Sequence, residues 1–303
     1  MKIANAPCSW GVLEFDLAGE APGYGQVLDE MRAIGYTGTE LGDWGFMPTD
    51  SACLRDELHA RELTLLAAFV AVPLAEPHLH DRGVEAALQY AHLLVEVQGH
   101  HSWGPYIVLS DDNGTSELRT RNAGRIRTEH GLTAEEWTFF VHGVQYIADI
   151  VREETGLGTV FHPHCAGYIE TPAEVDRLMQ NTSSELVGLC LDTGHYRFGG
   201  GEPLELYTRY AERVWHVHFK DCHPEIAARS RAAEWDYFAS VGNGVFCELG
   251  QGDVDFPAIL AALRTQNYDG WIVVEQDVLP GMGSPRESAS RNLAYLQSVL
   301  NQD

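Results

Sequence analysis

The sequence has little positive charge. It contains 20 Lys and Arg residues against 44 Asp and Glu residues, which gives a formal net charge of −24 at pH 7. Nucleic acids and anionic membrane surfaces are bound largely through cationic side chains, so this balance argues against both as partners. A strongly acidic surface favours solubility and says little about the substrate. We therefore expect a small-molecule substrate, no nucleic acid and no membrane.

Long hydrophobic runs and paired cysteines are also missing. The longest largely apolar run covers residues 63–75, which is shorter than the about 20 residues needed to cross a bilayer. The first residues, MKIANAPCSWG, lack the apolar segment of a signal peptide. The six cysteines are scattered and form no Cys-x-x-Cys pair, so we expect reduced thiols and no disulfide framework. These absences predict a cytoplasmic protein.

Lysine is nearly absent, because Lys2 and Lys220 are the only lysines among the 20 basic residues. Lys220 lies in VWHVHFKDC, residues 214–222, where it follows His216 and His218 at every second position. Side chains alternate faces along a strand, so all three would face the same side. Lysine differs from arginine by its compact ammonium group and by a pKa that burial can lower. We interpret Lys220 as a functional amine, with chance placement as the alternative.

Short apolar runs alternate with longer amphipathic ones along the whole chain. The short runs predict β-strands at residues 3–6, 38–41, 65–71, 106–109, 158–162, 187–191, 214–219 and 270–274. The longer ones predict helices at residues 24–34, 51–62, 83–97, 133–155, 171–179, 203–211, 256–265 and 288–300. This succession of βα units is typical of an α/β protein with a (β/α)8 TIM barrel. A doubly wound sheet is the alternative, but no Gly-x-Gly-x-x-Gly follows the first strand.

No linker divides the chain, so we expect a single domain over residues 1–303. Two segments are too long to be simple connectors: residues 110–132 follow the fourth predicted strand, and residues 221–255 follow the seventh. Both follow the carboxyl end of a strand, so both would lie over the active face of a barrel. The sequence IAARSRAAEW in the second segment predicts a helical lid that excludes water.

Carboxylates and imidazoles collect where the predicted strands end. They are Glu40 after the second strand, His162 and His164 after the fifth, Asp192 and His195 after the sixth, His218 within the seventh, and Glu275 after the eighth. A barrel keeps its catalytic residues at this end of its strands. Nitrogen and oxygen donors without thiolates suit Mn²⁺, Co²⁺, Zn²⁺ or Fe²⁺ at a catalytic site. The sequence therefore predicts a divalent metal site.

The motifs HPH, ETP, LDTGH, HVHFKD and VVEQD together resemble those of the xylose-isomerase-like family of TIM barrels, which includes sugar isomerases, epimerases and dehydratases. The resemblance covers essentially the whole chain. It implies one divalent metal, Mn²⁺ or Co²⁺ before Zn²⁺ or Fe²⁺, held by His162, Asp192, His218 and Glu275. Within the family the motifs are most similar to the inosose (2-keto-myo-inositol) dehydratase branch, which implies a role in inositol catabolism.

The position of His162 departs from the family pattern, which usually has glutamate there. A two-base epimerase uses two metal-bound glutamates on opposite faces of the substrate carbon, and here only Glu275 remains for that role. A single carboxylate can still remove a proton next to a ketone that a metal polarises. Loss of a β-hydroxyl group then gives dehydration. We therefore expect a metal-dependent lyase acting on a keto-cyclitol or keto-sugar, with a ketose or hydroxypyruvate-type isomerase or epimerase as the alternative.

The remaining side chains at the strand ends receive individual roles. Lys220 is expected to donate a hydrogen bond to the developing oxyanion or to the leaving hydroxyl, and His195 is a further catalytic candidate. His216 lies one pleat deeper and is interpreted as a buried core histidine. Substrate contact and structural hydrogen bonding are evenly weighted for His164, His195 and Glu40. Trp10 is expected to pack at the pocket mouth, and contact with a sugar ring face is evenly weighted as well. The choice between His162 and His164 as the metal ligand stays open.

Two arginine-containing stretches allow a second interpretation of the active face. The first contains Arg119, Arg121, Arg125 and Arg127, and the second contains Arg229 and Arg231. They could grip a carboxylate or phosphate of the substrate. We favour the interpretation that these arginines are surface side chains, which are neutralised by neighbouring acidic residues or form a contact between subunits.

Two other classes of protein remain open. Nuclease-like relatives share the fold but carry more histidines and carboxylates for three metals, and the acidic charge argues against them. A non-catalytic binding protein would show no metal-dependent turnover. Barrels of this family often pair, so a homodimer is possible.

Overall fold

Eight strand positions form a parallel barrel in the computed structural model, which describes residues 1–12, 22–278 and 282–301. The domain predicted over residues 1–303 includes positions that lie outside this described part. The described strands are β1 (Lys2–Asn5), β2 (Gly38–Thr39), β3 (Thr64–Leu65), β4 (Ala67–Val72), β5 (Tyr106–Asp111), β6 (Gly158–Phe161), β7 (Val187–Asp192), β8 (Val214–Phe219), β9 (Asp221–Cys222), β10 (Phe246–Cys247) and β11 (Trp271–Val274). The order in the large sheet is β3-β2-β1-β11-β8-β7-β6-β5-β4, while β9 and β10 form a separate antiparallel pair.

The barrel closes through its third strand position, which consists of β3 and β4. These two strands stand at opposite ends of the sheet order, yet Leu66 alone separates them in the chain. Leu66 N donates to Thr39 O at 3.0 Å, and Leu66 O accepts from Tyr106 N at 3.1 Å. One residue therefore joins both edges of the sheet, and the predicted (β/α)8 barrel is confirmed.

Helices surround the barrel and bury their apolar faces against it. They are α1 (Tyr24–Ile34), α2 (Ser51–Ala60), α3 (His80–Gln98), α4 (Glu117–Asn122), α5 (Ala134–Thr155), α6 (Pro172–Asn181), α7 (Thr193–Phe198), α8 (Pro203–Tyr210), α9 (Pro224–Ala232), α10 (Tyr237–Gly242), α11 (Phe256–Thr265) and α12 (Pro285–Leu300). The last helix begins at Pro285, three residues before its predicted start, because Ser284 accepts a hydrogen bond from Glu287 N and caps it. No helix in the described ranges is both long and apolar enough to cross a membrane.

The two long segments over the active face contain short helices that the sequence pattern did not reveal. Helix α4 lies in residues 110–132, and α9 and α10 lie in residues 221–255. Helices α4 and α10 each have six residues and begin at a side-chain cap, Ser116 and Asp236 respectively. Such helices are too short to display a 3.6-residue apolar period. Among α4, α9 and α10, only α9 overlaps a helix that the sequence predicted, in the stretch IAARSRAAEW.

Aromatic side chains fill the barrel near the amino-terminal end of β8. The pairing of β7 with β8 shifts register there, so that Leu189 pairs with Val214 and Cys190 with His216. Trp215 is the extra residue of this bulge, and its ring packs near Tyr106 at a centroid distance of 6.4 Å. Gly188 on β7 makes room for the ring, because a Cβ atom there would lie 2.3 Å from Trp215 Cε3.

Replacing Gly188 by alanine is expected to lower the free energy of unfolding by about 1–3 kcal/mol, because the added methyl group overpacks the barrel against Trp215. The matched control is Gly25→Ala on α1, where the new Cβ atom meets nothing closer than Arg61 Nη2 at 3.9 Å. That variant should be neutral or gain up to about 1 kcal/mol from helix propensity. Urea unfolding midpoints at equal m-values provide the measurement. Identical midpoints for Gly188→Ala and the parent would contradict the argument.

Candidate metal centre and active site

Four potential metal ligands meet at the carboxyl end of the barrel. Asp192 ends β7, His218 lies within β8 and pairs with it in register, and His162 and Glu275 directly follow β6 and β11. Parallel strands bring their carboxyl ends to one edge, so four consecutive barrel positions each supply one side chain. As whole residues, the four are at most 8% exposed.

The donor atoms of these four residues face one another. His162 Nε2 lies 3.5 Å from Asp192 Oδ2, and His218 Nδ1 lies 4.0 Å from the same oxygen and 3.3 Å from Glu275 Oε1. One donor atom from each residue falls within 4.8 Å of all the others. This spacing suits donors around a single ion. His164, the other possible ligand after β6, is not part of this group of described residues.

Two of these donor atoms lack hydrogen bonds. Asp192 Oδ2 and His218 Nδ1 are buried, and no described residue supplies either with a hydrogen-bond partner. Buried polar atoms in native proteins are nearly always paired, so such atoms call for an explanation. Two imidazoles and two carboxylates form a nitrogen and oxygen donor set for a divalent cation. The residues therefore fit a metal ion.

The charge of the site also favours a cation. Burial alone would raise the pKa of Asp192 and Glu275, but nearby Lys220 and the histidines outweigh it and lower both pKa values. Both carboxylates are therefore ionised at neutral pH. Burial likewise opposes the charge of Lys220, yet attraction to Asp277, Asp192 and Glu275 raises its pKa well above the ordinary value. One fixed ammonium thus stands among several carboxylates.

Local structure fixes Asp192 and Lys220 against each other. Asp192 Oδ1 accepts a hydrogen bond from His195 N at 2.7 Å and so caps α7, which leaves Oδ2 for the centre. Thr193 Oγ1 donates to Lys220 O at 2.7 Å and joins the two strand ends. At Gly194 a Cβ atom would lie 2.6 Å from Lys220 Cγ, so this close approach requires glycine.

Glu40 and His216 stand behind the metal-facing histidine. Glu40 Oε1 lies 2.8 Å from His218 Nε2 and 2.6 Å from His216 Nε2. Burial alone would raise the pKa of Glu40, but attraction to His218 and hydrogen bonds from both imidazoles lower it to about 2. A carboxylate that holds one ring nitrogen directs the other nitrogen to a metal. Glu40 also lines the cavity, but these contacts give it and the buried His216 an orienting position.

The cavity above the centre contains most of the residues predicted from the sequence. Its described lining consists of Ala6, Pro7, Cys8, Val12, Glu40, Gly42, Asp43, Phe69, His162, His164, His218, Lys220, Tyr237, Glu275 and Asp277. His164 lies in this wall, as expected for a substrate contact. His195 lies behind it, where its Nε2 is 3.0 Å from Lys220 Nζ. The position of His195 allows it to act through Lys220, not directly on a substrate.

The sequence leaves Trp10 evenly divided between substrate contact and a packing role, and the structure gives it a packing contact. Residues Pro7–Trp10 form a short 3-10 helix that ends at Gly11. Trp10 is 2% exposed, and its Nε1 donates to Glu30 Oε2 on α1 at 2.7 Å. The described lining of the cavity does not include it. Trp10 therefore packs the barrel against its first helix.

The arginines of the long segments make contacts within the protein. Arg119 is fully buried. It forms a bidentate ion pair with Glu174 and donates to Gly167 O at 2.7 Å. Arg121 pairs with Glu117, Arg127 lies near Glu129, and Arg229 stacks over Trp235. Arg125 and Arg231 tie the two segments together, through Trp235 O at 2.6 Å and Gly124 O at 3.3 Å respectively. These contacts agree with the structural interpretation and not with a substrate clamp.

Sequence reasoning missed three acidic or phenolic side chains of the cavity wall: Asp43, Tyr237 and Asp277. Asp277 follows Glu275 by two residues, so the alternation rule that grouped His216, His218 and Lys220 also pointed to it. Tyr237 had no such signal, because it reaches the site on α10 from within a long segment.

A TIM barrel with a candidate metal site at the carboxyl ends of its strands is the class that this fold and cluster define. A family model described as a xylose isomerase-like TIM barrel matches residues 28–299, and the chain belongs to this family. Inosose dehydratase of Lacticaseibacillus casei is 30% identical over 302 residues, which cover 99% of this chain and 98% of that protein. Inosose dehydratase of Geobacillus kaustophilus (strain HTA426) is 32% identical over 303 residues, which cover 99% of this chain and 95% of that protein.

A solved structure supports the fold independently. The crystal structure of the IOLI protein with a bound zinc atom superposes with a TM-score of 0.70 at 16% sequence identity, and covers 100% of this chain and 99% of that one. The barrel is thus shared over the full length of the described chain.

Proposed function

We propose that the protein is a divalent-metal-dependent inosose dehydratase, a lyase that removes water from 2-keto-myo-inositol. The observation that carries the proposal is the buried cluster of His162, Asp192, His218 and Glu275 beneath a cavity, on a chain that matches two inosose dehydratases over nearly their whole length. The likeness at about one-third identity supports the substrate class, and the donor geometry supports the metal.

The four clustered residues would hold the ion. Their two nitrogens and two carboxylate oxygens suit Mn²⁺ or Co²⁺, with Zn²⁺ and Fe²⁺ as other members of the same class. When bound, such an ion polarises a ketone and acidifies the neighbouring C–H bond. Glu40 and His216 support the arrangement because they keep Nδ1 of His218 directed at the cluster.

Glu275 is the proposed base. Its carboxylate takes the proton from the carbon next to the ketone, and the electron pair of that C–H bond forms the double bond of an enolate. The C–O bond to the β-hydroxyl group then breaks, and the hydroxyl leaves with a proton returned from Glu275. One proton is taken and one is given back, so the net change is the loss of one water.

Lys220 supports both steps as a hydrogen-bond donor. Its Nζ lies 3.3 Å from Glu275 Oε2, so an oxygen held near that carboxylate is also within its reach. Because the pKa of Lys220 is raised by its carboxylate neighbours against the effect of burial, the amine stays charged throughout the usual assay range. A fixed cation stabilises the negative charge that develops on the enolate and on the departing oxygen.

The alternative activity is epimerisation or isomerisation on the same barrel. It requires a second base on the opposite face of the substrate carbon, and the family position for that base holds His162. His162 Nε2 points to Asp192 at 3.5 Å, within the donor cluster, where a metal ion would occupy the nitrogen. Glu275 has a second carboxylate oxygen, Oε2, besides the Oε1 that faces His218, so it remains as the single carboxylate base, which favours dehydration.

The test is turnover of 2-keto-myo-inositol by protein that has been stripped of metal and then supplied with Mn²⁺ or Co²⁺. Product mass and the absorbance of the conjugated product are followed together. We expect loss of one water only when metal is restored. A product of unchanged mass would support the isomerase, and absence of turnover with every metal of the series would overturn the dehydratase assignment.

A further inference from the structure

The Lys220 ammonium has more carboxylate neighbours than its proposed role requires. Asp277 Oδ1 lies 2.9 Å from Nζ, Glu275 Oε2 lies 3.3 Å away, and Asp192 Oδ2 lies 3.7 Å away. An ammonium group has three N–H donors, and His195 Nε2 at 3.0 Å accepts another of them. The shortest carboxylate contact therefore goes to Asp277, which is not one of the four clustered donors.

The second oxygen of Asp277 is held by a tyrosine. Tyr237 OH donates to Asp277 Oδ2 at 3.2 Å, and both side chains line the cavity. Tyr237 is 1% exposed, and its ring stacks near His195 at a centroid distance of 6.4 Å. Each carboxylate oxygen of Asp277 thus has its own donor, and the carboxylate is fixed in one orientation.

Tyr237 belongs to a segment that other contacts dock onto the barrel. It is the first residue of α10, and Asp236 caps this helix through a hydrogen bond from Ala239 N at 2.7 Å. Just before it, Trp235 O accepts from Arg125, which comes from the other long segment. The placement of the phenol therefore depends on how the two segments over the active face pack together.

We propose that Asp277 and Tyr237 are positioning residues that hold the Lys220 ammonium next to Glu275 and the departing hydroxyl group of the substrate. This inference rests on the proposed function and deepens it. Without Asp277, Asp192 and Glu275 are the carboxylate partners left to the amine among the described residues, and it would pair directly with the metal donors. Tyr237 acts through Asp277, so α10 must be docked before Lys220 is in place.

The scarcity of lysine allows a direct test that needs no substrate. Protein labelled with ¹⁵N at lysine Nζ gives signals from Lys2 and Lys220 only, and Lys2→Arg assigns them. In the Zn²⁺-loaded protein, Asp277→Asn is expected to shift the Lys220 signal and speed the exchange of its ammonium protons. Tyr237→Phe should change the signal in the same direction by less. A Lys220 signal that is unchanged in Asp277→Asn would overturn the proposal.

Kinetics provide the second readout. At saturating metal, Asp277→Asn should lower kcat about 10- to 100-fold with unchanged metal content, because misplacing a reacting group costs this much. Tyr237→Phe should lower kcat about 3- to 10-fold, and the double variant should match Asp277→Asn, since one residue acts through the other. If the two losses of kcat multiplied in the double variant, the residues would act independently, and Tyr237 would not act through Asp277. The exposed Asp269→Asn is the control and should retain full activity.

The two readouts separate this inference from the proposed function. If the parent protein does not dehydrate 2-keto-myo-inositol but Asp277→Asn still shifts the Lys220 signal, the substrate assignment fails and the positioning role stands. If the parent is active and neither the signal nor kcat responds to Asp277→Asn, the positioning role fails and the function stands.

Discussion

Replacing Glu275 by glutamine is expected to lower kcat about 10,000-fold, the upper end of what a general base contributes. The amide has nearly the same size but cannot accept a proton. In the parent, the carboxylate is 8% exposed, and burial alone would raise its pKa, but His218 and Lys220 hold the pKa well below its usual range. The base is therefore ionised at neutral pH. The measurement is kcat at saturating substrate and saturating Mn²⁺.

Solvent exchange distinguishes loss of the base from loss of metal. With substrate that carries deuterium at the carbon next to the ketone, the parent should release that deuterium into the water, and Glu275→Gln should not, even when metal analysis shows a filled site. The matched control is Glu287→Gln on α12, an exposed glutamate whose replacement should leave kcat unchanged. If Glu275→Gln kept more than a tenth of the parental kcat, proton removal would have to be assigned to another residue.

The barrel and the donor cluster were accessible from the sequence because both depend on local patterns. Apolar runs mark the strands, and parallel packing brings the residues after each run to one edge. These two rules were enough to predict the positions of Asp192 and Glu275. The alternation rule placed His218 and Lys220 on one face, and the bulge at Trp215 did not disturb them because it lies nearer the start of β8.

The rest of the site depends on contacts between distant segments. Tyr237 reaches Asp277 because α10 packs against α4 of the other long segment, where Arg125 donates to Trp235 O. No periodicity records such a contact. The packing of Trp10 also depends on another element, because its indole nitrogen donates to the carboxylate of Glu30 on α1.

For the arginines, composition allowed two interpretations, and their contacts support the structural one that the sequence analysis favoured. A cluster of cationic side chains in an acidic chain is compatible with an anion-binding site and with ion pairs inside the protein. The residues that the arginines contact in the structure distinguish the two. Arg119 illustrates the difference, because it is fully buried against Glu174 and the backbone of Gly167. Its guanidinium secures α4 to the segment before α6. A buried, paired guanidinium contributes to the architecture of the active face without contacting the cavity.

Replacing Asp192 by asparagine is expected to weaken binding of Mn²⁺ about 100-fold or more while the protein stays folded. The two oxygens of Asp192 have separate roles: Oδ1 accepts from His195 N and caps α7, whereas Oδ2 lies in the donor cluster without a hydrogen-bond partner among the described residues. Asparagine caps a helix as well as aspartate does, so α7 keeps its start. The charged donor, however, is lost. Calorimetric titration of metal-free protein with Mn²⁺ measures the change.

The control for this variant is the same substitution at another helix cap. Asp50 accepts from Cys53 N at 2.8 Å and begins α2, and it does not belong to the cluster. Asp50→Asn should therefore bind Mn²⁺ as the parent does. Equal thermal midpoints for the two metal-free variants, with weak binding in Asp192→Asn alone, would assign the effect to Oδ2. If Asp192→Asn bound Mn²⁺ as tightly as Asp50→Asn, Asp192 would be a helix cap only, and the ligand set would have to be built without it.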